Sequence, residues 1–219
     1  MAIILNKGET TAVTKKDSDA PVVNLTVGAA WGKIAKLGES KAAGFLGKLL
    51  GKVGAADVVY EEVDLDLSLV FFDKSGNLVD TCYFGNKVLF GGGVTHTGDD
   101  LVGSDESDGS DNERIKIVGT GIPAKAETFF VILNSYRHHR FDEIPYIGFS
   151  IYDGLYGLKD KAARLMEFTL HNDSTFKGVE AAIMARVDRT NKGFTVTPIG
   201  KPTSDRDIAG LRRSCRELL

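Results

Sequence analysis

The sequence predicts a mostly β protein: a two-sheet β-sandwich with a helical insertion at about 33–54 and a C-terminal helix. Three observations carry this. Short β-branched and aromatic runs recur along the chain, Gly/Asn/Asp clusters punctuate them, and helical periodicity appears in only two places. Strands at this density, without regularly alternating helices, favour antiparallel sheets over a βαβ arrangement.

Taken in order, the first strand-like run is 22–27, Val-Val-Asn-Leu-Thr-Val. Segment 33–54 breaks the pattern, because Phe45, Leu46, Leu49, Leu50 and Val53 recur at helical spacing with Lys41, Lys48 and Lys52 elsewhere on the wheel. It predicts a basic amphipathic helix. Strand character returns at 58–60 and 63–72, then at 115–118, 128–133, 149–152, 164–170, 181–187 and 193–197. The turns between them carry residues suited to positive φ: Asp73-Lys74-Ser75-Gly76-Asn77, Asp153-Gly154 and Asn191-Lys192-Gly193. At 204–219 a Ser-Asp-Arg-Asp start precedes Ile208, Leu211, Cys215 and Leu218, the apolar stripe of a helix packed on the sandwich.

A chain of 219 residues, 42% hydrophobic, can bury a full core. It is expected to form one domain over 1–219 that carries the insertion. No apolar run reaches the roughly 18 residues of a membrane span, and the start lacks the basic-then-apolar order of a signal peptide. The expected location is the cytoplasm. Two cysteines, Cys82 and Cys215, are too few for a disulfide framework, which fits a reducing compartment.

The net charge of −3 conceals an asymmetry. Residues 57–113 hold 14 acidic and 2 basic side chains, whereas 1–56 and 114–219 are each mildly basic. A dense acidic middle is the opposite of the basic face that neutralises phosphate, so nucleic acid is excluded as a partner and a cation is favoured.

Two motifs concentrate that charge. Within Asp64-Leu65-Asp66-Leu67-Ser68, strand alternation sends the leucines to one face and Asp64, Asp66 and Ser68 to the other. On its own such a row is a solvated outer face. From Gly98 the chain then places seven carboxylates, Asp99, Asp100, Asp105, Glu106, Asp108, Asp111 and Glu113, in fifteen residues interleaved with Gly and Ser. Oxygen-rich, permissive loops suit calcium, which takes 6–8 oxygens at about 2.3–2.6 Å, although no EF-hand spacing fits here. Mutual repulsion is expected to keep 98–110 mobile until a cation orders it.

Enzyme signatures are missing. Gly47 to Val53 resembles a P-loop with its second glycine one residue early and Val53 where Ser or Thr must hold magnesium. His96, His138, His139 and His171 form no His-Glu-x-x-His pair, and no Gly-x-Ser-x-Gly elbow occurs. One tryptophan is a poor provision for a sugar cleft.

The order of Leu5-Asn6-Lys7-Gly8, Val27-Gly28-Ala29-Ala30-Trp31, Asp64-Leu65-Asp66-Leu67-Ser68, Asp73-Lys74-Ser75-Gly76, His96-Thr97-Gly98-Asp99-Asp100 and Ser110-Asp111-Asn112-Glu113 resembles the TerD family of bacterial tellurium-resistance and chemical-stress proteins. Asn134-Ser135-Tyr136, Phe141 to Ile144 and Ala209-Gly210-Leu211 extend the resemblance nearly to the end. It implies a calcium-binding β-sandwich without established catalysis. Carried over by position, the metal residues are Asp64, Asp66, Ser68, Asp99, Asp100, Asp111, Asn112 and Glu113, and Asp108, in a loop Gly103 to Ser110 that is longer than the family pattern, joins them as a ninth candidate from the acidic run. The family's Gly-Asp-Asp-Glu element reads Ser110-Asp111-Asn112-Glu113 here, one charge and one glycine short, which weakens one metal position. The expected function is a calcium-dependent stress-response binding module with a protein partner and no catalysis. The alternative is an adaptor whose basic helix 33–54 docks on an anionic membrane surface or a protein.

Overall fold

The computed structural model describes residues 2–37, 58–105, 110–160, 162–170 and 174–219. Fifteen strands precede one helix among these residues: β1 (Ile3–Ile4), β2 (Thr11–Val13), β3 (Asn24–Trp31), β4 (Ile34–Leu37), β5 (Val58–Glu61), β6 (Leu65–Phe72), β7 (Leu78–Cys82), β8 (Val88–Leu89), β9 (Val94–His96), β10 (Glu113–Val118), β11 (Thr128–Ser135), β12 (Ile147–Asp153), β13 (Arg164–Thr169), β14 (Ala181–Thr190), β15 (Gly193–Thr203) and α1 (Ile208–Arg216). A seven-stranded sheet runs β1-β13-β12-β3-β10-β9-β8, a six-stranded sheet β2-β15-β14-β11-β6-β7, and β4 and β5 form a separate ribbon. Among the strands of the described residues, β1 and β13 alone pair in parallel. The expected two-sheet sandwich is what forms.

Strand alternation builds the core. Leu65, Leu67, Leu69 and Phe71 of β6 turn inward to meet Leu25, Val27, Ala29 and Trp31 of β3 and Ile115 and Ile117 of β10. The opposite face of β6 carries Asp66 and Ser68, with Asp64 just before them, and ends with Val70 and Phe72. The latter two join Phe130, Ile132 and Ile183 beneath Leu211 and Cys215 of α1. Asp207 caps that helix, its carboxylate accepting the Gly210 N–H at 2.7 Å. The C-terminal helix is thus shorter than 204–219 but presents the expected stripe. Burial pushes the Cys82 thiol up to about 12 and the Cys215 thiol up as well, which makes both packing residues.

The insertion needs a correction. Its first residues, Ile34–Leu37, are a strand paired with Val58–Glu61, in the register Ile34 opposite Glu61 and Leu37 opposite Val58. Helical spacing was strong only from Phe45 onward. A β-branched partner strand and the Lys36–Glu61 ion pair decide the conformation of the preceding four residues. Residues 38–57, which hold most of the expected helix, lie outside the described residues. Strands β1, β2, β7, β8 and β9, absent from the sequence expectation, are short and set by pairing rather than by their own composition.

The strand expected at 22–27 is β3 and runs on to Trp31, and at Gly28 it leaves room for Asp111: a Cβ there would lie 2.1 Å from Asp111 Oδ2. This brings the end of β3, the start of β6, the end of β11 and the start of β10 together. Asp66 sits opposite Asn134, and Glu113 opposite Ala29.

Candidate metal centre

At this end of the sandwich Asp64, Asp66 and Asp99 each place a carboxylate oxygen within 4.8 Å of the others. Asp64 immediately precedes β6, Asp66 is its second residue, and Asp99 lies in the connection after β9. Asp64 and Asp66 are 2% and 4% exposed, so the row is not the solvated face that its sequence suggests, and Asp99 alone opens to solvent. Compensation is sparse. Asp66 Oδ2 accepts a hydrogen bond from Asn134 Nδ2 at 3.0 Å, and Arg137 Nε lies 3.7 Å from Asp64 Oδ2. Asp64 Oδ1 is buried with no hydrogen-bond partner.

The electrostatics follow. Burial, then the charges of Glu113 and Asp64, push the Asp66 carboxyl up to about 7. Burial also raises Asp64, with Arg137 working against it. Three close carboxylates, one of them carrying an orphaned oxygen, fit a hard divalent cation that prefers oxygen donors. Ser68 is buried in the same outward row, two residues beyond Asp66.

Glu113 ties the two halves of the site. β6 pairs with β7 only from Leu69 onward, and the Glu113 Oε2 atom accepts the Leu67 N–H beyond that point at 2.8 Å. Its Oε1 accepts the Asp100 N–H at 3.2 Å, next to Asp99. Burial raises the Glu113 carboxyl. His96 Nδ1 accepts the Gly98 N–H at 3.3 Å, so its proton belongs on Nε2, which faces Glu113 Oε2 at 3.3 Å without completing a hydrogen bond.

Asp100 and Asn112 are fully engaged elsewhere. Asp100 Oδ1 accepts the N–H groups of Val102 and Gly103, both at 2.9 Å, and its Oδ2 accepts Asn112 Nδ2 at 3.1 Å. The Asn112 amide also donates to Ser104 Oγ at 3.1 Å and accepts the Trp31 N–H at 2.8 Å. Val63 N–H donates to the Val102 carbonyl, and Trp31 Nε1 to the Val63 carbonyl. Contrary to the expectation of a loose 98–110, residues 98–105 are therefore held by protein donors and acceptors. Gly103, at φ +76°, lets this loop pass the Trp31 ring.

Asp111 belongs to a different cluster. Its Oδ2 accepts Arg114 Nε and the Tyr152 hydroxyl, each at 2.7 Å, and Arg164 Nη2 approaches Oδ1 at 3.5 Å. The Arg114 guanidinium lies 4.7 Å above the Tyr152 ring. Asp108 lies outside the described residues. Of the nine sequence candidates, the structure thus gathers Asp64, Asp66 and Asp99, with Glu113, Asp100 and Asn112 as the frame. Asn134, Arg137 and His96 complete the surroundings; His96 and Asn134 stand in motifs that carry the family resemblance but were not read as part of the site, and Arg137 carries no local signal.

The model of the TerD domain matches residues 1–214. The chain is 26% identical over 206 residues to "Tellurium resistance protein TerZ" of Serratia marcescens, covering 94% of this chain and 93% of that one. It is 28% identical over 213 residues to "Stress response protein SCP2" of Bacillus subtilis (strain 168), covering 94% of each. The fold is similar to the crystal structure of a homologue of the telluride resistance protein TerD from Streptomyces coelicolor A3(2), with a TM-score of 0.58 at 12% identity over 86% of this chain and 95% of that chain. With its domain model matched almost from end to end, this chain belongs to the TerD family.

Proposed function

We propose that this protein is a calcium-binding stress-response protein of the cytoplasm that acts as a metal-dependent binding module without catalysis. The observation that carries the reading is the trio Asp64, Asp66 and Asp99 with the orphaned Asp64 Oδ1. Stress response and tellurium resistance are the roles named for the SCP2 and TerZ relatives. No helix among the described residues is long and apolar enough to cross a membrane.

Bound here, calcium supplies positive charge and open coordination positions. The chain's own residues do the rest. Asp64, Asp66 and Asp99 supply oxygens, Glu113 fixes the spacing of β6 against the Asp99 segment, and Arg137 tempers the repulsion between carboxylates before the cation arrives. Among the described histidines, His96 Nδ1 accepts the Gly98 N–H, and His138 and His139 lie against Glu180 and Glu61.

Calorimetric titration of chelator-treated protein with calcium tests the proposal. Binding is expected together with a rise in melting temperature, equivalent to about 2.7 kcal/mol when free calcium is one hundred times its dissociation constant. Absence of both heat and a melting shift at millimolar calcium overturns it.

A further inference from the structure

The acidic trio stands among exposed apolar side chains from three separate connections. Two residues after Asp99, Leu101 is 49% exposed, followed by Val102 at 38%. Tyr136, 62% exposed, follows β11 and donates its N–H to the Asp64 carbonyl at 3.0 Å. Its ring meets that of Phe84 edge-on at 6.0 Å, and Phe84, in the β7–β8 turn, is itself 38% exposed. Cavities of about 770 Å³ by Arg114 and Arg164 and of about 420 Å³ by Phe141 and Phe176 are lined by none of these side chains. The apolar groups are loop tips around a cation site rather than the walls of either cavity.

Charge decides what such a face can meet. Without a cation, three carboxylates against the Arg137 guanidinium repel an anionic surface. A divalent cation brings the cluster close to neutrality. A shell of 6–8 oxygens exceeds what three carboxylates readily supply, so positions remain on the open Asp99 side for outside oxygens. Apolar and tyrosine side chains on the same tips suit the interfacial layer of a bilayer, where Tyr is at home and Leu, Val and Phe bury apolar area.

We infer that, once loaded with calcium, this end of the sandwich docks on an anionic phospholipid surface. Headgroup phosphate oxygens complete the ion's shell while Leu101, Val102, Phe84 and Tyr136 enter the interface. The inference rests on the calcium reading above and differs from docking through the lysine-rich segment, which lies outside the described residues.

The full chain is sedimented with phosphatidylserine–phosphatidylcholine vesicles in calcium or in chelator, with calcium affinity read separately by calorimetry. The expected result is vesicle binding in calcium only, weakened about tenfold or more by Tyr136→Ser and by the Leu101→Ser/Phe84→Ser double variant, with calcium affinity and melting temperature kept. Calcium binding without vesicle binding overturns the docking and leaves the metal reading standing, with a protein partner as the occupant. Vesicle binding undiminished in chelator, or equal binding by the variants, overturns it in favour of an electrostatic route through lysines. No calcium binding at all removes the metal reading, and the docking with it.

Discussion

Two groups built on buried carboxylates, one around Asp111 and one around Asp64 and Asp66, lie at the same end of this sandwich, and the fold treats them in opposite ways. Asp111 receives Arg114 and the Tyr152 hydroxyl at 2.7 Å, with Arg164 beyond. Asp64, Asp66 and Asp99 receive one amide and one distant guanidinium, and an Asp64 oxygen receives nothing. Asp99 and Asp111 come from one acidic run, while Asp64 and Asp66 come from the earlier strand motif. The Asp111 group is complete within the protein; the other is short of positive charge, as a cation site must be before its ion arrives.

The largest expected effect tests the complete cluster. Replacing Asp111 with alanine leaves Arg114 without its buried partner, so Asp111→Ala is expected to cost about 3–5 kcal/mol in the absence of calcium. A metal ligand at this position would behave differently, since removing one of several repelling carboxylates spares or raises the metal-free stability. Thermal melting in chelator separates the two: an unchanged midpoint sinks the structural assignment.

Asp66 shows the opposite sign. Its carboxyl stands at about 7 in the fold, above its ordinary 3.8, so the folded protein binds the proton more tightly than the unfolded chain does. Stability from this group is therefore fully present below about pH 4, declines as pH rises through 7, and stays low above it. The expected decline is on the order of 2–4 kcal/mol. Asp66→Asn, which keeps an oxygen for Asn134, is expected to flatten that profile, raise the melting temperature at pH 8 and abolish calcium binding. A profile as steep in the variant as in the parent breaks the contrast between the clusters. Calcium binding by the parent at pH 6 should release up to one proton, read as a dependence of the heat on buffer ionisation.

The sandwich, the C-terminal helix and the face of β6 that bears Asp64 and Asp66 were legible because period-2 alternation is local information. The partition of carboxylates between clusters was not. Arg114, next to the acidic motif, was the one local hint that Asp111 is paired; Arg164 and Tyr152 arrive from strands over 35 residues away, and Arg137 reaches Asp64 from just beyond the end of β11. Ribbon β4–β5 was hidden for a related reason: four residues after Lys33 take their conformation from a partner strand 21 to 27 residues on.

The smallest expected effect concerns the position at which the sequence departs from its family pattern. Asn112 stands where the pattern has a second aspartate, and in the fold its Nδ2 donates to Asp100 Oδ2 and Ser104 Oγ while its Oδ1 accepts the Trp31 N–H. An aspartate can keep only the acceptor role. Asn112→Asp turns a 3.1 Å hydrogen bond to Asp100 into a contact between two carboxylates, expected to cost about 1–2 kcal/mol without calcium. Because Asp100 holds the Val102 and Gly103 N–H groups and precedes the exposed tip, the loss should appear as faster amide exchange over 100–104, with strands such as β14 unchanged. Calcium should recover part of the loss if the new carboxylate turns toward the ion, and the variant then gains more in melting temperature from calcium than its parent does. Equal gains and unchanged exchange at 100–104 would show that the asparagine is a passive substitute for the family's aspartate rather than the donor that holds this loop.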